Sequence, residues 1–220
     1  MIGFIQVRSY KMVKIYFFGT DGGCLDAFCL SREIDNENDN ELLFLSDKVK
    51  KGSLIQGCQV IGSFKSIENC SYANCEFVYQ CGSVKNHFER DIWFKKALEN
   101  QMIPKTLISS HSYIHESASI GIGSIIYHGV KIMRNVKIGQ NCVILPNTII
   151  NHDVSIGDFS IINSSCVLNG GVEISSKVFI GSMTAIRENV KIASKTTIGM
   201  SSIILNDIVC PGVYYGQPIK

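Results

Sequence analysis

Residues 147–171 read NTIINHDVSIGDFSIINSSCVLNGG, and an aliphatic residue recurs in them at every sixth position, at 150, 156, 162 and 168. The positions between are mostly Asn, Ser, Gly, Asp and Val. Six is neither the 3.6-residue period of an amphipathic helix nor the two-residue period of an alternating strand. The stretch is therefore a repeat of another kind, and it carries one titratable pair, His152 and Asp153.

The repeat runs through the second half of the chain with no break in register. Its large aliphatic positions are fifteen isoleucines and one leucine, at 114, 120, 126, 132, 138, 144, 150, 156, 162, 168, 174, 180, 186, 192, 198 and 204. The residue four places on is small or β-branched almost throughout, as at Val154 and Cys166. Such a fixed period is the sequence signature of a solenoid, with the large aliphatic residue inside.

The first half, residues 12–106, alternates between predicted strands and helices. VKIYFFG, ELLFLSDK and CEFVYQCG are predicted strands, and CLDAFCLSREI has helical spacing. NHFERDIWFKKALEN is predicted to be an amphipathic helix with Phe88, Ile92 and Trp93 on its apolar face. This order predicts a small parallel sheet, in which ligands bind at the carboxyl ends of the strands. Residues 1–11 are expected to be a loosely held extension.

Composition narrows the classes of partner. The chain has 220 residues, 45% of them hydrophobic and 18% charged, and a net charge of +2, which gives no reason to expect nucleic acid or a membrane surface. No apolar run approaches the ~20 residues that a membrane span requires. The start, MIGFIQVRSYK, is too short and too polar for a signal peptide. Nine cysteines with no CxxC pair favour reduced thiols in a cytoplasmic protein over a zinc site.

The repeat resembles that of the hexapeptide-repeat acyltransferases. In that family three hexads make one coil of a left-handed parallel β-helix, so sixteen hexads imply just over five coils. A small nucleotide-binding domain before the β-helix is similar to the sugar-nucleotide N-acetyltransferases and sialic-acid O-acetyltransferases of bacterial surface-glycan pathways. The resemblance implies a Rossmann-like α/β nucleotide-binding domain over 12–106, a left-handed β-helix over 107–212 and a tail over 213–220.

Three hexads per coil would stack residues eighteen apart on one corner, so that His152 stands over Gly170 and Gly171. A titratable side chain beside exposed backbone N–H groups suits acyl transfer, which needs a base and an oxyanion donor. In the related N-acetyltransferases a histidine followed by an acid acts as the general base. The resemblance therefore implies His152 as the base, Asp153 as the group that orients it, and the Gly170 N–H as the candidate oxyanion donor.

Two positions depart from that pattern. His128 occupies the same place in its hexad, but no acid follows it and Pro146 stands eighteen residues on. We interpret His128 as structural. Some relatives carry a second histidine nine residues after the base, and Ile161 occupies that position here.

A second pair of glycines eighteen apart is Gly181 and Gly199, with Ser182 and Met200 beside them. In the family these coils present backbone groups to the pantetheine arm of acetyl-CoA, in a groove between adjacent subunits, which implies a homotrimer. Gly216 and Pro218 match the family's closing segment near the adenine. The alternative is that glycine simply suits tight turns here.

The first half contains a candidate sugar-nucleotide site. The family's pocket is matched by a glycine turn after the first strand, an acid after the second and a Gly-Ser pair after the third, namely Gly19, Gly22, Gly23, Asp47, Gly82 and Ser83. Backbone N–H groups would meet the diphosphate, and Asp47 would accept from the base or a ribose hydroxyl. The alternative for Asp47 is a turn carboxylate.

The function expected from the resemblance is acetyl-CoA-dependent N-acetylation of a UDP- or TDP-linked amino-deoxysugar, with no metal. O-acetylation of a sialic-acid-type sugar is the nearest alternative. A zinc enzyme of the same fold would need three histidines meeting between subunits, and only His128 and His152 lie well inside the coil. A non-catalytic scaffold is the third alternative.

Overall fold

The computed structural model describes residues 13–35, 40–69, 72–80 and 87–216. Within these ranges the chain forms an α/β layer followed by a three-sided β-helix. The extension predicted over residues 1–11 lies outside the described residues.

The first layer is the small, mostly parallel sheet that the alternation of strands and helices predicted. The strand order is β3-β4-β2-β1-β5-β6, and all neighbours are parallel except β3 and β4. The strands are β1 Lys14–Phe18, β2 Glu41–Leu45, β3 Leu54–Ile55, β4 Cys58–Gly62, β5 Glu76–Val78 and β6 Ile103–Pro104. The helices are α1 Gly22–Ile34 and α2 Arg90–Glu99, with 3₁₀ turns at Phe64–Asn69 and His87–Glu89.

The sequence analysis missed the β3–β4 hairpin. Its two-residue turn is Gln56-Gly57, with φ of 49° and 81°. Positive φ at both central residues is typical of the type I′ turn, whose twist matches that of a hairpin. The QG dipeptide was the available signal, but the two flanking runs are too short to show a clear alternation.

The predicted apolar face of α2 was wrong in part. Ile92 is 47% exposed, and Phe88 and Trp93 are half-buried. The buried face instead consists of Arg90, Phe94 and Ala97. The helix packs on a corner of the β-helix that presents an amide and a carbonyl, so an arginine occupies a place that hydrophobic spacing assigns to an apolar residue.

The β-helix is built from two-residue parallel strands that form three sheets. The first sheet, here the covered face, contains β7 Leu107–Ile108, β10 Ile125–Ile126, β13 Val143–Ile144, β16 Ile161–Ile162, β19 Phe179–Ile180, β22 Thr197–Ile198 and β24 Val213–Tyr214. The second, the apolar face, contains β8 Tyr113–Ile114, β11 Lys131–Ile132, β14 Ile149–Ile150, β17 Val167–Leu168, β20 Ala185–Ile186 and β23 Ile203–Ile204. The third, the polar face, contains β9 Ser119–Ile120, β12 Lys137–Ile138, β15 Ser155–Ile156, β18 Glu173–Ile174 and β21 Lys191–Ile192.

The interior follows the hexad pattern. The second residue of each strand points inward and the residue four places on packs beside it, forming one continuous buried cluster. Four of the six hydroxyl residues at that fourth place donate to a carbonyl fifteen residues on, as Ser124 does to Gly139 at 2.8 Å and Thr148 to Asn163 at 2.8 Å. Cys142 lies inside as predicted, and burial raises the pKa of its thiol to about 12.

The corners impose a left-handed backbone on one residue in each hexad. Asn135, Asp153 and Asn147 have φ near +60°, but so do Phe159 and Met183, which disfavour that region. The conformation is held by bonds between coils, such as that from the Asp153 N–H to the Arg134 carbonyl at 3.0 Å. Coil stacking therefore overrides local preference.

The first layer packs directly against the β-helix. Apolar side chains of α1 and β1 share a buried cluster with outward residues of the covered face, including Ile125, Val143 and Ile161. Arg90 of α2 is buried, and its guanidinium donates to the Asn141 Oδ1 at 2.8 Å and to the Phe159 carbonyl at 3.3 Å. The corner of Asn141, Phe159 and Lys177, here the helix corner, is thus occupied by α2.

Replacing Arg90 with Ala should weaken this junction. The change leaves the Asn141 and Phe159 acceptors buried without their charged donor, so we expect the free energy of unfolding to fall by about 2–4 kcal/mol. Urea denaturation followed by circular dichroism measures the loss. Lys95→Ala, on the solvent side of the same helix, should leave the stability essentially unchanged. An equal loss in both variants would contradict the role of Arg90.

Candidate active site

His152 lies on the corner between the apolar and polar faces, here called the histidine corner. Ile150 pairs with Ile132 on one side and with Leu168 on the other, so neighbouring coils are offset by eighteen residues. One column of the corner therefore reads, in order, Glu116, Arg134, His152, Gly170 and Glu188. The stacking predicted for His152 and Gly170 is the one observed.

Gly170 lies so close to the His152 imidazole that a side chain would not fit at this position. A Cβ at this position would lie 2.5 Å from the His152 Cε1 and 2.8 Å from its Nε2. Gly171, and not Gly170, has the positive φ, at +69°. Its N–H donates to the His152 carbonyl, whereas the Gly170 N–H is paired with no carbonyl of the described residues. The imidazole thus faces bare backbone with an available N–H donor.

Asp153 is held in place to accept from His152. Its Oδ2 lies 2.8 Å from the His152 Nδ1, and its Oδ1 accepts from the Asn135 Nδ2 at 2.9 Å. The Arg134 guanidinium lies 3.5 Å away. The hydrogen bonds from Asn135 and His152, with the charge of Arg134, lower the pKa of the Asp153 carboxyl. The sequence analysis assigned no role to Arg134 and Asn135, although the period of eighteen places both residues on the same corner as His152 and Asp153.

A cavity of about 510 Å³ opens beside the pair. It is lined by Asn151, His152, Asp153, Asn169, Gly170, Gly171, Glu188 and Asn189. His152 and Asp153 keep 54% and 44% of their side chains exposed in the single chain, so the site is open to solvent on one side.

His128 lies on a different corner, between the covered and apolar faces. It is exposed, and its carbonyl accepts from the Asn147 N–H at 3.2 Å. The column below it continues with Pro146, Ser164, Ser182 and Met200. No acid follows it, so it lacks the partner that His152 has.

The residues predicted to bind the pantetheine arm lie on this second corner, here the methionine corner, with Met183 and Met200 exposed on it. Gly181 and Gly199 donate their N–H groups to the Ile198 and Tyr214 carbonyls, and a Cβ on Gly199 would lie 2.9 Å from that of Tyr215. Close packing between coils therefore accounts for glycine at both positions. Ser182 is half-exposed. A single chain does not bring this group to His152, because the two corners lie at opposite edges of the apolar face.

The predicted adenine-proximal residues are described only in part. Gly216 is exposed with φ of +120°, and its carbonyl accepts from the Ile203 N–H at 3.3 Å. Pro218 lies outside the described residues. Their contribution to acetyl-CoA binding stays a prediction.

The predicted nucleotide residues gather at the carboxyl end of β1. Gly19 has φ of +116° and donates to the Leu45 carbonyl at 2.9 Å. Gly22 and Gly23 open helix α1, which Asp21 caps by accepting from the Cys24 N–H. A Cβ on Gly22 would meet open space.

The other predicted nucleotide residues are less exposed to a ligand or lie outside the described ranges. Asp47 is exposed, but its Oδ1 accepts from the Phe64 N–H at 3.0 Å, so it already serves as a turn carboxylate. Gly82 and Ser83 lie outside the described residues. The nucleotide site therefore stays a prediction.

A second cavity, of about 400 Å³, lies between α1 and the covered face. Its polar side includes Asp21, Asp26 and Gln80, and its apolar side includes Ile161 and Phe179. Gly23 lines it too, so one predicted nucleotide residue borders this space. The sequence analysis did not foresee it, because only docking of the two layers creates it.

Two further properties concern metals and membranes. Among the described residues, no three His, Cys, Asp or Glu side chains converge closely enough to hold a metal ion. Within the same ranges, no helix is both long and apolar enough to cross a membrane.

Comparison with known proteins agrees with this geometry. The family model for the bacterial transferase hexapeptide (six repeats) matches residues 111–145 and 135–170. No curated protein sequence matches the chain. The acetyltransferase domain of PglB from Neisseria gonorrhoeae is 22% identical, with a TM-score of 0.84 over 94% of this chain and 98% of that one.

Two other solved structures share the architecture. PerB from Caulobacter crescentus, solved with CoA and GDP-perosamine, is 18% identical, with a TM-score of 0.82 over 94% of this chain and 96% of that one. WeeI from Acinetobacter baumannii is 17% identical, with a TM-score of 0.61 over 96% and 99%. Identities this low establish the fold alone, and hexads stacked in this way form a left-handed β-helix. The chain thus carries the repeat of the bacterial transferase hexapeptide model over residues 111–170, and its fold is that of these acetyltransferase structures.

Proposed function

We propose that the chain is an acetyl-CoA-dependent N-acetyltransferase acting on the amino group of a nucleotide-linked amino-deoxysugar. The observation that carries the proposal is His152, paired with Asp153, facing the bare backbone of Gly170 across a cavity. Solved structures of the same fold support it. The PglB acetyltransferase domain has been solved with acetyl-CoA, and PerB with CoA and GDP-perosamine.

The tautomer of His152 follows from its partner. The lowered pKa of Asp153 keeps that carboxyl ionised at neutral pH, and an ionised carboxylate only accepts hydrogen bonds. The Nδ1 of His152 must then be the donor, which leaves the lone pair on Nε2. The imidazole lies over Gly170 and lines the cavity, where a base acting on a bound substrate is required.

The reaction proceeds by direct attack. The neutral amine of the sugar attacks the thioester carbonyl carbon, and the Nε2 of His152 takes a proton from the nitrogen as the new C–N bond forms. The Gly170 N–H donates to the oxyanion that develops on the carbonyl oxygen. The C–S bond then breaks, and the departing CoA thiolate receives the proton from His152.

The first layer would hold the nucleotide. Helix α1 begins at Gly22, three residues after Gly19, and the first-turn N–H groups of a helix favour phosphate groups. UDP, TDP and GDP sugars all present such a diphosphate, so this end of α1 does not by itself select the base.

A panel assay tests the function. The protein is incubated with acetyl-CoA and with UDP-, TDP- and GDP-linked amino sugars, GDP-perosamine among them, and the released thiol is measured. Free sialic acid is included as the acceptor for O-acetylation. Turnover with an amino sugar nucleotide supports the proposal. Turnover with sialic acid alone would favour O-acetylation, and no turnover with any acceptor would remove the proposed activity.

The apolar face supports an assembly of copies, and we propose a homotrimer. Its outward residues are mostly apolar, and Tyr113 and Ile203 keep 53% and 38% of their surface exposed; the full set is Tyr113, Lys131, Ile149, Val167, Ala185 and Ile203. Exposed apolar patches mark interfaces. The histidine and methionine corners flank this face, so a neighbouring chain on it could complete the groove for the pantetheine arm.

Val167→Lys should disrupt the assembly. A lysine in the centre of the apolar face places an unpaired charge in the interface, so we expect monomers by sedimentation and a loss of thiol release. Ser155→Lys puts the same charge on the polar face and should leave a trimer. Sedimentation of the unmodified chain as a fully active monomer would contradict the shared groove.

Gly170→Val should abolish turnover while the fold survives. Any Cβ at position 170 overlaps the imidazole of His152, and a β-branched side chain would also fill the cavity. Circular dichroism and thiol release are compared on the same samples. A folded variant with unimpaired turnover would exclude Gly170 from the site.

His152→Asn should lower kcat by roughly 10²–10⁴, the usual range for losing a general base. The affinity for acetyl-CoA should change little, and Asp153→Asn should lose less activity because it keeps the imidazole. His128→Asn is the matched control and should behave like the unmodified enzyme. An inactive His128→Asn variant together with an active His152→Asn variant would instead place the site on the methionine corner.

A further inference from the structure

The far wall of the active-site cavity carries a carboxylate. Glu188 lies two coils from His152 on the histidine corner, with only Gly170 between them, and it lines the same cavity. Neighbouring strands are ~4.8 Å apart, so the two backbones are separated by roughly 10 Å. The His152 imidazole lies directly over Gly170, and the part of the cavity between this imidazole and the Glu188 carboxylate, here the slot, is bordered by glycine backbone.

Glu188 is an uncommitted acceptor within the single chain. It is exposed, and it makes no hydrogen bond or ion pair with the described residues. The other carboxylate in the cavity, Asp153, is occupied by His152, Asn135 and Arg134. For a ligand in the slot, the Asp153 carboxylate is therefore already bonded to His152, whereas the Glu188 carboxylate is available to accept a hydrogen bond.

We propose that Glu188 binds the acceptor sugar, by accepting a hydrogen bond from the ring hydroxyl next to the reacting amine. This inference rests on the proposed function. With the amine at the Nε2 of His152, the ring spans the slot and its adjacent hydroxyl reaches the carboxylate. An ionised carboxylate accepts only, so the site selects a donor at that ring position. Glu188 is then a specificity residue that does not take part in proton transfer.

The chain contains a matched control for this role. Glu116 stands on the same corner, also two coils from His152 but in the opposite direction, and it is exposed as well. Arg134 lies between Glu116 and His152, with its guanidinium 3.5 Å from the Asp153 carboxylate, and Glu116 does not line the cavity. Glu116 therefore matches Glu188 in residue type, corner and coil distance, and differs in having no slot.

The test uses the full chain and the amino sugar nucleotide that the acceptor panel identifies. Glu188→Ala should raise the KM for that sugar roughly 10- to 100-fold, as expected for losing a charged hydrogen bond. The kcat, the KM for acetyl-CoA and the sedimentation coefficient should be retained. Glu116→Ala should match the unmodified enzyme in the KM for the sugar, the kcat, the KM for acetyl-CoA and the sedimentation coefficient. A sugar analogue lacking the hydroxyl beside the amine completes a double-mutant cycle, in which Glu188→Ala should no longer distinguish the two sugars.

The outcomes separate this inference from the function beneath it. Turnover in the unmodified enzyme with an unchanged sugar KM in Glu188→Ala would overturn the role of Glu188 alone. If Glu188→Ala changes only the KM for acetyl-CoA, Glu188 contacts the pantetheine arm. If it changes the sedimentation coefficient, Glu188 lies in a contact between copies of the chain. Either result overturns the inference. A panel without any acceptor removes the proposed function and this inference with it.

Discussion

The constraint on which the rest of the structure depends is the closure of each coil in eighteen residues. The backbone N–H and C=O groups of one coil pair with those of the next, so the β-helix strands from Leu107–Ile108 to Ile203–Ile204 are each in register with the strand eighteen residues away. One residue in each corner must take a left-handed conformation to close the turn, and even Phe159 and Met183 accept it. A linear sequence thereby becomes a set of columns, in which a residue's neighbours are those above and below it.

The column arrangement explains how a regular scaffold brings together the residues of the candidate site. Most columns of the corners are filled with side chains that pack or bond to the next coil. On the histidine corner one member is Gly170, and the missing side chain exposes both an imidazole edge and a backbone N–H. Asp153, held by Asn135 and Arg134 from the coil above, fixes the tautomer of that imidazole. The site thus depends on three consecutive coils, and each contributes a different chemical element.

The three faces of the β-helix have different surroundings. The covered face is packed against α1, and α2 packs on the helix corner, where the buried Arg90 joins the layers through Asn141 and Phe159. The polar face carries exposed charges such as the Lys191–Glu173 ion pair at 3.0 Å. In the single chain the apolar face is exposed. It lies between the histidine corner, proposed to bind the acceptor, and the methionine corner, proposed to bind the pantetheine arm. That placement is the structural basis for proposing that copies share the groove.

The sequence by itself determined the solenoid, its period, the inward residues and the pairing of His152 with Gly170. These follow from backbone hydrogen bonding, which repeats in fixed steps and does not depend on what lies outside the coil. Only the tertiary structure decided the buried face of α2, the cavity at the junction of the layers, and the contacts by which Arg134 and Asn135 hold Asp153. Those depend on side chains that meet from distant parts of the chain, where an arginine such as Arg90 can take a buried place because particular acceptors, here Asn141 and Phe159, are already there.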